Sequence, residues 1–275
     1  MSDLPLSPQV FSILSALVEE RVGLSYTLAD KDIFASKASA RALEAGFESM
    51  LDYYYCLRYD DPEQREFQLL AETLLVHETF FFRELEPLRA AIAHFVAPRV
   101  KAGERARIWC AACATGEEPV TIAMLLREAK LTDQVDLVAS DLSQSALERA
   151  KKGVFSSRAL RQQRDHPLAA RYLETRPDCI IAHASVLQSI DFRQVNLVEA
   201  DAVEALGSFD LIVCRNVLIY FDDARVNSVV DRITARIRPD GALLIGVSES
   251  LMRFGTSLSC EEHGGSFVYR RRASR

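Results

Sequence analysis

No stretch of this 275-residue chain is apolar for anything like the roughly 20 residues that a bilayer span requires. The opening Met1-Ser2-Asp3-Leu4-Pro5 has neither the basic segment nor the apolar core of a secretory signal, so the expected location is the cytoplasm. Glycine and proline are scarce, at 11 and 9 residues, which excludes fibrous and low-complexity chains. A basic excess is missing as well: the net charge of −6 argues against a broad nucleic-acid surface. The one basic cluster, Tyr269-Arg270-Arg271-Arg272, reads as a solvated tail. The cysteines and the five histidines are scattered. Cys110 and Cys113 form a C-x-x-C without the second ligand pair that zinc needs, so reduced core thiols and no metal site are expected.

What is present falls into two textures. From Pro8 to Glu86 apolar residues recur at helical spacing, as in Val10, Ile13, Leu14, Leu17 and Val18, which predicts a helical domain over residues 1–86. Within it Lys31, Lys37 and Arg41 read as a solvated helix face. After a linker at 87–104, strand-like and helix-like runs alternate through residues 105–275. Strands are expected at Ile108–Cys113, Val135–Ala139, Val195–Glu199, Phe209–Cys214 and Ala242–Val247. Helices are expected at Pro119–Ala129, at Ser143–Lys152 with Ser143 as N-cap and Gly153 as stop, and at Ala224–Ile237. Such alternation predicts an α/β domain, a parallel sheet with helices on both faces. Residues 154–193 break the rhythm and read as an inserted subdomain.

In open parallel sheets ligands lie beyond the carboxyl ends of the strands. The ends here carry Thr115-Gly116-Glu117-Glu118, Ser140-Asp141 and Arg215-Asn216. Asp141 ends the second strand, where a carboxylate suits the two hydroxyls of an adenosine ribose. The first turn has one glycine and two acids, which would repel a pyrophosphate. A cationic, phosphate-free adenosyl compound such as S-adenosylmethionine fits that turn; acids that merely complement the helix dipole fit it equally well.

The segments HETFFFRE (77–84), ATGEEPVTIAM (114–124), ASDLSQSALERAKKGVF (139–155), FDLIVCRNVLIYF (209–221) and RPDGALLIGVSESL (238–251) resemble, in order, the signature blocks of the CheR family of bacterial chemotaxis receptor methyltransferases. The resemblance implies a Rossmann-like class I methyltransferase domain with a small inserted β-subdomain, preceded by an all-α N-terminal domain. It also implies S-adenosylmethionine as cofactor, S-adenosylhomocysteine as product, and glutamates on the cytoplasmic helices of chemoreceptors as acceptors. Carried over by position, His77, Thr79, Arg83, one of Glu117 and Glu118, Asp141, Asn196-Leu197 and Arg215-Asn216 would line the cofactor, with Glu118 the preferred acid. His77 stands where the family usually has Asn, and Val120 where an aromatic is common.

A Ser-His-Asp or Cys-His nucleophile arrangement is not evident, and a substrate carboxylate needs none, being anionic near neutral pH. Arg83 is then expected to grip the carboxylate of the cofactor, and Tyr220 to orient the incoming glutamate; a salt bridge to Glu84 or Glu86 and a core position are the competing roles. Phe80, Phe81 and Phe82 are expected to pack between the domains. The partners implied are receptor helices, without nucleic acid or membrane insertion, for a monomeric enzyme. A methyltransferase for RNA or small molecules, a nicotinamide oxidoreductase and a non-catalytic signalling module remain the alternatives.

Overall fold

A computed structural model describes residues 4–271. The chain forms two compact units, one of residues up to Val76 together with Tyr220–Arg225, the other of His77–Ile219 and the chain from Val226 onward. The break thus falls at residue 76, ten residues before the expected end of the helical domain.

The first unit contains helices α1 (Pro8–Val22), α2 (Lys31–Glu44), α3 (Met50–Tyr55) and α4 (Arg65–Leu74). Ser7 caps α1 by accepting the Val10 N–H at 3.2 Å, and Gly23 ends it with φ of 80°, a conformation that costs glycine little. Phe11, Leu14, Phe34, Tyr53, Leu57 and Leu70 are buried in its core. The expected solvated face on α2 is not what forms: Arg41 grips Glu66 with two hydrogen bonds of 2.8 and 2.7 Å, and the Lys37 ammonium donates to the Leu74 carbonyl at 3.2 Å. Tyr53 donates to the same Glu66 at 2.7 Å, so one carboxylate gathers three helices.

The second unit begins with α5 (Leu85–Ala91), which continues through a π-helical turn into α6 (Ala97–Lys101). Residues 87–101 are therefore helical, where the sequence suggests a linker over 87–104. Phe95 and Val96 are buried, and the Arg99 guanidinium reaches the almost fully buried Asp210 of the sheet at 3.1 Å. Then follow β1 (Ala106–Ala111), α7 (Glu117–Glu128), β2 (Val135–Asp141), α8 (Gln144–Lys152), β3 (Val154–Ser156), α9 (Pro167–Tyr172), β4 (Leu173–Thr175), β5 (Cys179–Ala182), α10 (Ala184–Leu187), β6 (Ile190–Gln194), α11 (Ala200–Glu204), β7 (Phe209–Cys214), α12 (Asp223–Ala235), β8 (Ile237–Leu244), β9 (Leu258–His263) and β10 (Ser266–Arg271).

Seven strands form one sheet in the order β6-β2-β1-β7-β8-β10-β9. The first five run parallel, and β10 is antiparallel to both its neighbours. Every residue of β7 is buried, as expected of a strand covered on both faces. The order reverses between β1 and β7, the place where such sheets open a ligand crevice. Ser143 caps α8 by accepting the Ala146 N–H at 3.0 Å, and Gly153 ends it with φ of 65°, both as the spacing predicts.

The insert is smaller than residues 154–193. A separate antiparallel sheet, β3-β5-β4, spans Val154–Ala182, while β6 joins the main sheet beside β2. The expected strand at Val195–Glu199 forms five residues earlier. Val195 donates to the Asp141 carbonyl at 2.9 Å and the chain then turns, so those residues make the loop after the strand. The basic C-terminal run is no tail within the described residues: Tyr269 is buried in β10 and Arg270 meets Glu261 at 3.3 Å, while Arg272 lies outside them. Phe81 and Phe82 pack inside this second unit. The Phe81 ring meets Phe155 edge-on at 4.9 Å, its N–H donates to Ala159, and Phe82 stacks on His166 at 4.2 Å. Among the described residues no helix is long and apolar enough to cross a membrane.

Candidate active site

The turn from β1 to α7 is folded under strain. Ala112 and Ala114 hold φ of 54° and 47°, values that an L-residue adopts at a cost of about 1–3 kcal/mol. Gly116 follows with φ of 96° as the N-cap of α7, and a Cβ there would stand 2.6 Å from the Ala150 Cβ, so no larger residue lets α7 approach α8. Asp141 holds the turn in place. Its Oδ2 accepts the Ala114 N–H at 2.7 Å and its Oδ1 accepts the Ser143 N–H at 2.9 Å.

Beside Asp141 lies the loop after β6. Asn196 accepts the Val198 N–H at 3.2 Å and donates to Glu199 at 3.1 Å, an Asx turn that buries Leu197. Asp141, Asn196 and Leu197 are thus brought together at the ends of two adjacent strands.

Glu117 and Glu118 part company. Glu118 accepts from the Arg215 Nε at 2.6 Å and from the Cys110 thiol at 3.1 Å, so the acid preferred from the sequence is taken up within the protein. Arg215, with 1% of its side chain exposed, also reaches the Glu84 carboxylate at 3.1 Å and the Arg83 carbonyl at 2.8 Å. Burial opposes its charge, yet Glu118 and Glu84 outweigh burial and hold its pKa above the ordinary value. Burial together with Glu118 pushes the Cys110 thiol well up, which makes it an inert core group.

Glu117 is 4% exposed and meets no cation within ion-pair distance among the described residues. Its side-chain partner is the Thr115 hydroxyl at 2.6 Å. Burial pushes its carboxyl up to about 7, with the Thr115 bond and its own backbone N–H offsetting only part of that rise. A buried acid in this condition is poised to accept a cation.

Arg83 is the basic counterpart. Its side chain is 28% exposed, the nearest carboxylate, Glu84, stands 4.0 Å away, and its closest acceptor is the Glu78 carbonyl at 3.3 Å. The salt bridge that competed with a ligand role is therefore weak, because Glu84 is turned to Arg215. The chain around it is strained too, with φ of 63° at Phe82 and 47° at Glu84. Thr79 is half-buried, and His77 leaves its Nε2 buried with no hydrogen-bond partner. Tyr220 belongs to the first compact unit: its carbonyl accepts the Ser25 N–H at 2.9 Å and the adjacent Phe221 pairs with Leu24, all inside that unit.

Two carboxylates that the sequence does not single out brace these loops. Glu84 joins Arg215 to the loop after β8 by accepting the Val247 N–H at 3.2 Å. Glu249 accepts from the backbone of Asn216, Gly246 and Leu218 at 2.7, 2.9 and 3.0 Å. Both lie inside blocks that the family resemblance marks; residue type alone carries no signal for either. Among the described residues no cluster of His, Cys, Asp or Glu is arranged to hold a metal ion.

A family profile described as the CheR methyltransferase, SAM binding domain, matches residues 77–263. The chain belongs to the CheR methyltransferase family. The CheR match begins at His77, the residue at which the second compact unit begins. Chemotaxis protein methyltransferase 2 of Vibrio cholerae is 34% identical over 234 residues, covering 82% of this chain and 80% of that protein. Chemotaxis protein methyltransferase 2 of Pseudomonas aeruginosa is 36% identical over 238 residues, 84% of this chain and 82% of that one. The Escherichia coli chemotaxis protein methyltransferase is 30% identical over 252 residues, 90% and 86%. Among solved structures, TrmN from Thermus thermophilus aligns with 67% of this chain and 52% of its own at 16% identity and a TM-score of 0.36. The CheR unit is accordingly an S-adenosylmethionine-dependent methyltransferase domain.

Proposed function

We propose that the protein methylates glutamate side chains on the cytoplasmic helices of chemotaxis receptors, forming glutamate methyl esters. The observation that carries this reading is the buried, cation-free carboxyl of Glu117 in the turn that Asp141 holds, with Arg83 lacking a close carboxylate of its own. The residues fit the donor group by group. Glu117 suits the ammonium or the sulfonium, Asp141 the ribose hydroxyls, and Arg83 the terminal carboxylate through its two-pronged guanidinium. Thr79, the orphaned His77 Nε2, Asn196, Leu197 and Asn216 complete the proposed lining. Of the acidic pair, Glu117 takes the ligand role and Glu118 the structural one.

When bound, S-adenosylmethionine supplies a methyl group on positively charged sulfur. An acceptor carboxylate would take that methyl on its oxygen, leaving the S–C electron pair on sulfur with no proton to move. A general base is unnecessary. The protein's work is placement: the oxygen in line with the S–C bond at roughly 3 Å, in a site shielded from water. An anion and a cation meet and both charges disappear, so a buried setting favours the transfer. Tyr220, four residues after Asn216, is assigned the orienting of the acceptor on its place in the chain.

The test is incubation with methyl-labelled S-adenosylmethionine and receptor cytoplasmic fragments, followed by mass spectrometry and mild alkali. Added methyl mass on glutamate that alkali releases as methanol supports the reading. No incorporation, or an alkali-stable product, overturns it.

A further inference from the structure

The loop that leaves β7 is held by a single carboxylate from a distant part of the chain. Glu249 accepts the N–H groups of Asn216 and Leu218, 33 and 31 residues away, and that of Gly246. Asn216 itself sits at φ of 59°, a conformation that needs outside support. The fit is close: a Cβ on Gly246 would stand 2.6 Å from the Asn216 Nδ2 and 2.9 Å from the Glu249 Oε2. Because each peptide unit is planar and trans, drawing the N–H groups of Asn216 and Leu218 toward Glu249 turns the carbonyls of Arg215 and Val217 to the opposite side.

Such a bundle has a chemical purpose. Three backbone donors are an expensive way to satisfy one acid, and a half-buried carboxylate is retained where its bonds are well made. The same loop carries Arg215, whose side chain is pinned by Glu84 and Glu118. Glu249 fixes its main chain. Two of the three backbone contacts are to the segment between the end of the central strand and Ile219.

We infer that Glu249 is a positioning residue for methyl transfer: by binding the Asn216 and Leu218 N–H groups it fixes the β7 loop against which donor and acceptor are aligned. The inference rests on the methyltransferase reading above. Since a misplacement of about 1 Å can cost roughly 100-fold in rate, loosening this loop should lower kcat far more than it weakens ground-state binding.

Glu249→Gln separates the possibilities. The amide oxygen can keep the bonds from Asn216 and Gly246, but its NH2 then faces the Leu218 N–H, donor against donor. The expected result is a fall in kcat of about 10- to 100-fold with the affinity for S-adenosylmethionine, read by calorimetry, within about threefold of wild type. In the absence of ligand, amide hydrogen exchange at Leu218 should accelerate in the variant while that of β1 is unchanged. Gly246→Ala crowds the same bundle and should reproduce the kcat loss. Val229→Ala, on the buried face of α12 and outside the Glu249 hydrogen bonds, lowers stability and should leave kcat within about twofold.

Unchanged kcat and unchanged Leu218 exchange in Glu249→Gln would overturn the inference, as would losses of kcat and affinity in equal proportion. Should Glu249→Gln fail to fold, Gly246→Ala and the Leu218 exchange decide alone. A wild-type protein that leaves receptor fragments unmethylated defeats the proposed function and leaves the exchange result to judge Glu249 by itself.

Discussion

The turns that leave β1 and β7 come from strands paired side by side, yet they handle charge in opposite ways. At β7 every charge is answered: Arg215 by Glu84 and Glu118, and the backbone by Glu249. At β1 one carboxylate, Glu117, is buried without a cation. On the proposed function, a closed ion-pair network belongs to residues that build the cleft, whereas a buried acid without a cation belongs to a residue that takes a ligand. Glu117 and Glu118 are chain neighbours of one residue type, and only their partners separate these roles.

The largest effect should come from the closed side. Arg215→Ala would leave Glu84 and Glu118 partly buried and uncompensated, so a loss of about 3–5 kcal/mol is expected in urea unfolding. A loss below about 1 kcal/mol would break the contrast, because the network would then be ornamental.

The open side predicts a different pattern. The folded Glu117 carboxyl titrates near 7 against an ordinary 4.5. A raised folded pKa means that its contribution is fully present below pH 4.5 and is lost as pH climbs through 7, a difference on the order of 3 kcal/mol. Glu117→Gln should flatten this slope between about pH 5 and pH 8 and be at least as stable as wild type at the upper end. It should also weaken S-adenosylmethionine binding by roughly 10- to 100-fold, the worth of a hydrogen bond to a charged group. In the wild type, binding near pH 6 should release a proton, seen as a buffer-dependent heat in calorimetry. Equal effects from Glu117→Gln and Glu118→Gln on affinity would remove the division of labour.

Much of this fold is legible in the letters because local chemistry decides it. Ser143 and Gly153 bracket α8 through a side-chain cap and a left-handed stop formed within the helix's own end turns. The apolar run of β7 is unambiguous because both faces are covered. Where the reading slipped, a distant contact decided. Val195–Glu199 looks like a strand by residue type, but Asp141 catches Val195 and the chain turns, leaving Ile190–Gln194 to pair with β2. Residues 87–104 look like a linker until Asp210 is seen to hold Arg99. The site divides in the same manner. Asp141 is legible from its place at a strand end; the separation of Glu117 from Glu118 is not, since it depends on Arg215, 97 residues away from Glu118.

Arg83 sharpens the contrast at smaller amplitude. Its nearest carboxylate is 4.0 Å away, so Arg83→Ala should change stability by no more than about 0.5 kcal/mol. If the guanidinium grips the cofactor carboxylate, affinity should fall by about tenfold or somewhat more in the same variant. Arg83→Ala is thus expected to cost affinity, and Arg215→Ala stability. An Arg83 variant that is destabilised but binds normally would place it on the closed side.

Tyr220 carries the smallest expected effect and the sharpest alternative. It follows Asn216 by four residues, but its carbonyl is bonded to Ser25 and it belongs to the first compact unit. Its hydroxyl either meets the acceptor or serves that unit's own packing. Because the acceptor's charge is disappearing in the transfer, a hydroxyl that orients it contributes only about 1 kcal/mol at that point, so Tyr220→Phe should lower kcat/KM for receptor fragments about fivefold and leave the affinity for S-adenosylmethionine unchanged. Because removing a hydroxyl keeps the ring, a packing role predicts full turnover with a small fall in Tm. Steady-state kinetics and thermal unfolding on the same preparation separate these outcomes, and full turnover would confine the transfer chemistry to residues of the second unit.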